Sequence, residues 1–219
     1  MIKHHPNEQL LAQYSSGELA FSLSIAISAH LEMCPQCQQK EQRIVAQQAE
    51  QAWDADNVEE ANFDDMLQCI LATPIEAPKT KTLHKKKANN SVSLEGKTYT
   101  LPTAFRSFEQ LKWSGFGTIN RARVINDEQD VRASLLHIKQ GGEIPAHQHK
   151  GYELTLLLAG SFSDEHGTYQ KGDFILLSGD VKHSPKTEQG CLCYTVQDAP
   201  LHFMSGMSKV LNPLGKFIY

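Results

Sequence analysis

Residues 141–160, GGEIPAHQHKGYELTLLLAG, followed by KGDFILLSGDVKH at 171–183, decide the fold of the C-terminal half of this chain. His147 and His149 lie two apart, so on a strand both point to one face. Glu153 follows a short turn through Gly151, and His183 arrives from a neighbouring strand. Three imidazoles and one carboxylate form a donor set suited to a borderline divalent metal such as zinc, iron or manganese.

Working outward, the period of two continues on both sides. From about residue 92 short apolar runs (VRASLLHI, YELTLLLAG, DFILLS, CLCYTV) alternate with Gly, Asp and Asn turns, the pattern of an all-β sandwich or barrel. Residues 1–73 have another texture, rich in Glu, Gln and Ala. Helices are expected over 7–15, 18–33, 36–54 and 58–73. The last carries Phe63, Met66, Leu67, Ile70 and Leu71 on one stripe, with Asn57 as its cap and Glu60 three residues on. Between the halves, TPIEAPKTKTLHKKKANNSVS has linker composition. The division expected is a helical domain over 1–75, a flexible linker over 76–92 and a β domain over 93–219, a multi-domain α + β chain.

Composition narrows the function classes. The chain has 219 residues, 40% apolar and 21% charged, enough for a buried core. A net charge of −4 leaves no overall nucleic-acid footprint. No apolar run approaches the roughly 20 residues of a membrane span. MIKHHPNEQLLAQYSSGELA lacks a signal pattern, so a cytoplasmic protein is expected, whose five cysteines serve as ligands, thiols or core residues. Over residues 1–73, Lys3, Lys40 and Arg43 stand against eleven carboxylates, a balance of −8. This is either a solvated helical surface or an interface for a basic partner.

A second donor cluster lies near the N-terminus. His30-Leu-Glu-Met-Cys34-Pro-Gln-Cys37 places His30 and Cys34 one above the other on a helix face, and Pro35 opens the next helix. Thiolates are favoured at that helix start. With His5 or His4 as the fourth donor, the set closes a tetrahedral zinc site that pins the first helix to the next two. A pair of buried or redox-active thiols is the competing account of the CxxC.

His5…His30-x3-Cys34-x2-Cys37 in an acidic helical domain, joined to the two β-half signatures, resembles the ChrR-type anti-sigma factors over nearly the whole chain. The first signature, G-x5-H-x-H-x3-E-x6-G, is met from Gly141 to Gly160. The second keeps Gly172 and His183 but has Ser178 and Asp180 where the family usually has Pro and Gly. The resemblance implies a small all-α zinc-binding domain and a cupin jelly-roll β-barrel. It implies zinc on His5, His30, Cys34 and Cys37, and a second metal (zinc, iron, manganese or nickel) on His147, His149, Glu153 and His183. It also implies an extracytoplasmic-function sigma factor as partner, held away from RNA polymerase. The cupin half would release it under singlet-oxygen or organic-peroxide stress, through the linker. No direct contact with nucleic acid or membrane is implied.

Other residues have two readings. The stripe Phe63, Met66, Leu67, Ile70, Leu71, with Asp64 and Asp65, either closes a four-helix core or clamps the partner. Cys191 and Cys193 should share one strand face, as core residues or as a redox-sensitive pair. Cys69 reads as core or partner-facing, His137 as a packed core or pocket residue, and His84 and His166 as solvated. A 3-His-1-Glu centre also serves cupin dioxygenases, so a metalloenzyme is the alternative function.

Overall fold

Asn7 accepts the Leu10 amide at 2.8 Å and caps the first helix, α1 (Glu8–Ser15), which Gly17 terminates with φ +75°. Helices α2 (Phe21–Met33), α3 (Pro35–Trp53) and α4 (Phe63–Ala72) follow. The structure, a computed structural model, describes residues 1–53, 63–74, 90–106, 108, 111–124, 128, 131–179 and 181–204. The expected cap Asn57 with Glu60 and most of the linker, His84 included, lie outside the described residues. The four expected helices are present, with α2 starting three residues later than its pattern suggested and α3 one residue earlier.

The strand-forming half begins with a hairpin, β1 (Ser91–Leu94) and β2 (Lys97–Thr100), turning at Glu95 and Gly96 with φ of 51° and 79°. Thus Ser91 and Val92, assigned to the linker by composition, are already strand. A 3-10 turn (Thr103–Phe105) leads to β3 (Trp113–Phe116), β4 (Ile119–Val124), β5 (Arg132–Ile138), β6 (His147–His149), β7 (Tyr152–Asp164), β8 (Gly167–Gln170), β9 (Phe174–Ser178), β10 (Lys182–His183), β11 (Cys191–Gln197) and β12 (Leu201–Phe203). The larger sheet has the order β3-β4-β5-β11-β7-β8 with β9 on β7, and β10-β6-β12 form a smaller sheet. Every pairing is antiparallel. The chain therefore combines N-terminal helices with the cupin-like β fold expected from the sequence.

The helices do not enclose a core of their own. Helix α2, FSLSIAISAHLEM, is apolar around most of its circumference and needs cover on two sides. It meets α1 and α3 on one side and β7 and β11 on the other. Leu11, Ile25, Ala26, Ile27 and Ala29 share one continuous core with Leu135, Leu154, Leu156, Leu192, Tyr194 and Val196. Polar contacts fix the docking. Glu128 takes the Ser22 amide at 2.7 Å, capping α2 from the β half, and the Tyr194 hydroxyl donates to the Ser22 carbonyl at 3.1 Å. Thr103 donates its amide and hydroxyl to Glu32.

Helix α4 stands apart from this core. Phe63, Met66, Leu67, Ile70 and Leu71 are 53–75% exposed, and none of its described residues is buried. The stripe does not close a four-helix bundle.

Candidate metal centres

The first cluster forms where α2 ends and α3 begins. His30 sits in the last turn of α2, fully buried. Cys34 lies between the helices, and Cys37 is on the first turn of α3. His5 completes the set: its Nδ1 lies 3.5 Å from Cys34 Sγ and 3.3 Å from Cys37 Sγ. One donor atom from each of the four lies within 4.8 Å of the others. A tetrahedron with zinc–nitrogen and zinc–sulfur bonds of standard length has edges of about 3.4–3.8 Å, so these residues fit zinc. His30 Nδ1 bonds the Gly172 carbonyl at 2.8 Å and leaves Nε2 buried without a hydrogen-bond partner. Such an orphaned nitrogen beside two thiols is what a metal satisfies. Burial pushes the His30 imidazole down to about 4, which keeps it neutral and available as a ligand. Burial and the neighbouring Cys34 push the Cys37 thiol up to about 12, so in this pocket only a cation would stabilise the thiolate.

Of the two N-terminal histidines, His5 and not His4 reaches the cluster. His4 faces the β half, its Nδ1 3.5 Å from Asp173 and its ring 4.8 Å from that of Tyr169.

Residues 1–5 form a strap across the turn between β8 and β9. Asp173, fully buried, accepts the Lys3 and His4 amides at 2.7 and 3.0 Å, and the Phe174 amide donates to the His4 carbonyl at 3.0 Å. Gly172 has φ +95°, and a Cβ there would meet Ile2 at 2.4 Å. Turn 172–174 thus holds two of the four donors, His5 through the strap and His30 through the Gly172 carbonyl. Motif spacing marked only the ligands. The sign in the sequence for this contact was Gly172-Asp173, which the β-half signature absorbed.

The second cluster lies between the two β sheets. His147 pairs with His183 across β6 and β10, and their ring centroids are 4.4 Å apart. His183 Nε2 is 3.2 Å from Glu153 Oε2. His147, Glu153 and His183 are all buried, with donor atoms within 4.8 Å of one another. His149 sits on β6, two residues from His147; its side chain lies outside the described residues. The backbone Pro145 carbonyl bonds His147 Nδ1 at 2.8 Å, Asp164 lies 3.3 Å from His183 Nδ1, and the Gln197 amide donates to Glu153 Oε1 at 2.7 Å. These outer contacts orient each donor, as in metal centres generally, and the three residues fit a divalent cation. Burial lowers the affinity of His183 for a proton, but Glu153 and Asp164 outweigh it and raise the imidazole above its ordinary value. Asp164 and Gln197 are supporting residues with no motif of their own.

Cys191 and Cys193 share the inward face of β11 and are 1% and 2% exposed. The Cys191 thiol and burial hold Cys193 well above the ordinary thiol range. Cys69 is exposed on α4. His137 is buried with the Tyr99 hydroxyl 3.2 Å from Nε2, and His166 is exposed, bonded to the Lys182 carbonyl. No helix among the described residues is long and apolar enough to cross a membrane.

With this geometry in place, similarity to known proteins is specific. Residues 103–200 match the family described as the ChrR cupin-like domain. The anti-sigma-E factor ChrR of Cereibacter sphaeroides is 27% identical over 214 residues, covering 97% of each chain. The chain resembles a ChrR anti-sigma factor nearly from end to end. The structure of Rhodobacter sphaeroides ChrR, solved in complex with SigE, superposes with a TM-score of 0.70 at 25% identity, covering 90% of this chain and all of that one. A putative acetylacetone dioxygenase from Methylibium petroleiphilum is more distant, with a TM-score of 0.41 and 16% identity over 48% of this chain and 90% of its own.

Proposed function

We propose that this chain is an anti-sigma factor that sequesters an extracytoplasmic-function sigma factor and releases it under oxidative stress. The observation that carries this is the full-length likeness to a ChrR that was solved bound to its sigma factor. The exposed stripe of α4 supports it, because five large apolar side chains on one helix face are costly to leave in water without a partner. Asp64 and Asp65, at the start of that helix, suit a basic partner surface.

In this reading the helical half holds zinc on His5, His30, Cys34 and Cys37. The metal supplies a crosslink between the N-terminal strap, α2 and α3. The cupin half, with its metal on His147, His149, Glu153 and His183, acts as sensor and not as an enzyme. A signal there has a short route to the sigma-binding half. Glu153 pairs with Leu177 of β9, and β9 begins at Phe174 in the turn that anchors the strap and His30.

Run-off transcription tests this function. Added to polymerase loaded with the cognate sigma factor, the chain should abolish the transcript, and prior exposure to an organic hydroperoxide should restore it. Full transcription with the unoxidised chain present in excess would refute the function.

A further inference from the structure

We propose that Tyr169 and Asp164 join the two clusters, so that filling the His147–Glu153–His183 cluster tightens the hold of His5 on the cluster with His30, Cys34 and Cys37. The proposal rests on a metal at each cluster and gives the sensor role of the cupin half a path of side chains. An unbroken run of contacts crosses the β7–β8 hairpin. His183 Nε2 lies 3.2 Å from Glu153 Oε2, and its Nδ1 lies 3.3 Å from Asp164 Oδ2. The other oxygen of Asp164 accepts the His166 and Gly167 amides at 2.8 and 3.1 Å, which fixes the carboxylate to the hairpin turn. Tyr169 pairs with Phe162, two residues before Asp164, so Tyr169 and Asp164 lie on the same face of the hairpin. There the Tyr169 hydroxyl donates to the Asp164 carboxylate. The Tyr169 ring packs against those of Phe162 and His4, with centroids 4.9 and 4.8 Å away. His4 precedes His5 in the strap, so the run ends one peptide bond from a donor of the first cluster.

The members of this run cannot move independently. The Asp164 side chain is 2% exposed and Tyr169 is 4% exposed. Burial and the Asp164 carboxylate push the Tyr169 hydroxyl up to about 12, so it remains a donor at neutral pH. A hydroxyl buried against a charged acceptor is costly to leave unpaired, and Tyr169 therefore follows Asp164. A cation on His183 Nε2 leaves Nδ1 to donate to Asp164, the usual carboxylate support of a ligating histidine. The imidazole so fixed seats Asp164, Tyr169 and, through the ring contact, His4. A seated His4 lowers the ordering cost of presenting His5. The backbone route along β9 contains neither Tyr169 nor Asp164, so side-chain variants distinguish the two paths.

Cobalt(II) titration of the full-length chain against a competing chelator tests this. Thiolate-to-cobalt charge transfer reports the cluster with Cys34 and Cys37, because the His147–Glu153–His183 cluster holds no sulfur donor. With both clusters intact, cobalt should bind the cysteine cluster about tenfold tighter than in His147→Ala/His149→Ala, which strips cupin donors that lie outside the run. Tyr169→Phe keeps the ring and loses the hydroxyl, and the same ratio measured in it should fall to within about twofold of unity. A merely structural role for Tyr169 lowers affinity in both backgrounds and leaves the ratio unchanged. Asp164→Asn carries the test should Tyr169→Phe fail to fold. A ratio near unity in the chain with native Tyr169, or an undiminished ratio in Tyr169→Phe, would overturn the proposal. Cobalt content separates this from the reading beneath it. One cobalt per intact chain refutes the second metal and the coupling together, and two without coupling refute the coupling alone. Coupling in a chain that fails to silence transcription refutes only the regulator.

Discussion

Asp173→Ala should loosen the N-terminal zinc site although Asp173 is not a zinc ligand. Its carboxylate is fully buried and accepts three backbone amides, Lys3 at 2.7 Å, His4 at 3.0 Å and Gln170 at 2.8 Å. Hydrogen bonds to a charged group contribute about 1.5–3 kcal/mol each. Here the three share one carboxylate and the Lys3 and His4 amides gain water when the strap opens, so the net loss should be about 3 kcal/mol. Much of it falls on the strap, which carries His5. Zinc affinity should therefore drop by about 10–100-fold, the usual effect of removing an outer contact in a metal site. Competition with a chromogenic chelator measures the affinity, and limited proteolysis before His5 reports strap opening. The same carboxylate gives a pH signature. Burial alone would raise its pKa, but the three amides and His4 outweigh burial and hold it below the ordinary 3.8. A depressed carboxylate stabilises the fold above its unfolded value and loses that contribution as pH falls through the folded one. The wild type should thus lose stability below about pH 3.8 more steeply than Asp173→Ala. Unchanged zinc affinity and unchanged proteolysis in the variant would refute the coupling.

Other consequences follow from single residues. Gly172→Ala forces a left-handed backbone at φ +95° and a Cβ 2.4 Å from Ile2, so urea unfolding should show a loss of about 1–3 kcal/mol. Adding Ile2→Ala should recover only the steric part. In the metal-free chain His30 is held near 4 against 6.5 unfolded. Between those values the unfolded chain binds the proton and the folded chain does not, so thermal midpoints should fall as pH drops from 6.5 towards 4; in the zinc-loaded chain the slope should be steeper, because unfolding then also exchanges the metal for protons on its ligands. Iodoacetamide on the native, zinc-loaded chain should modify the exposed Cys69 first and leave Cys191 and Cys193 unmodified, as mass spectrometry of peptides would show. Early alkylation of Cys193 would contradict its burial.

The sequence made the ligands legible and hid their supports. Motif spacing placed His30, Cys34 and Cys37 together, because helix periodicity and a Pro-started helix constrain them locally, while the choice of His5 over His4 came only from the family resemblance. In the β half strand alternation put His147 and His149 on one face, and the fixed signature spacings added Glu153 and His183, which the fold brings to His147 from β7 and β10. The docking of the two halves was not read. Its sign was present in α2, whose FSLSIAISAHLEM lacks a polar face and so requires two apolar neighbours. Asp173, Gln197 and Asp164 are isolated polar residues, and only tertiary contact gives them a role. The α4 stripe was read as amphipathic, but whether its partner lay within the chain depended on packing that periodicity does not encode.

Titration calorimetry with the cognate extracytoplasmic-function sigma factor tests directly whether α4 presents its apolar face to that partner. The wild-type chain should bind one-to-one. Leu67→Ala combined with charge reversal at Asp64 and Asp65 should cost at least about 2 kcal/mol of binding, while the thermal midpoint stays unchanged because these side chains are exposed. Absence of binding by the wild type, or full affinity in the variant, would contradict the account.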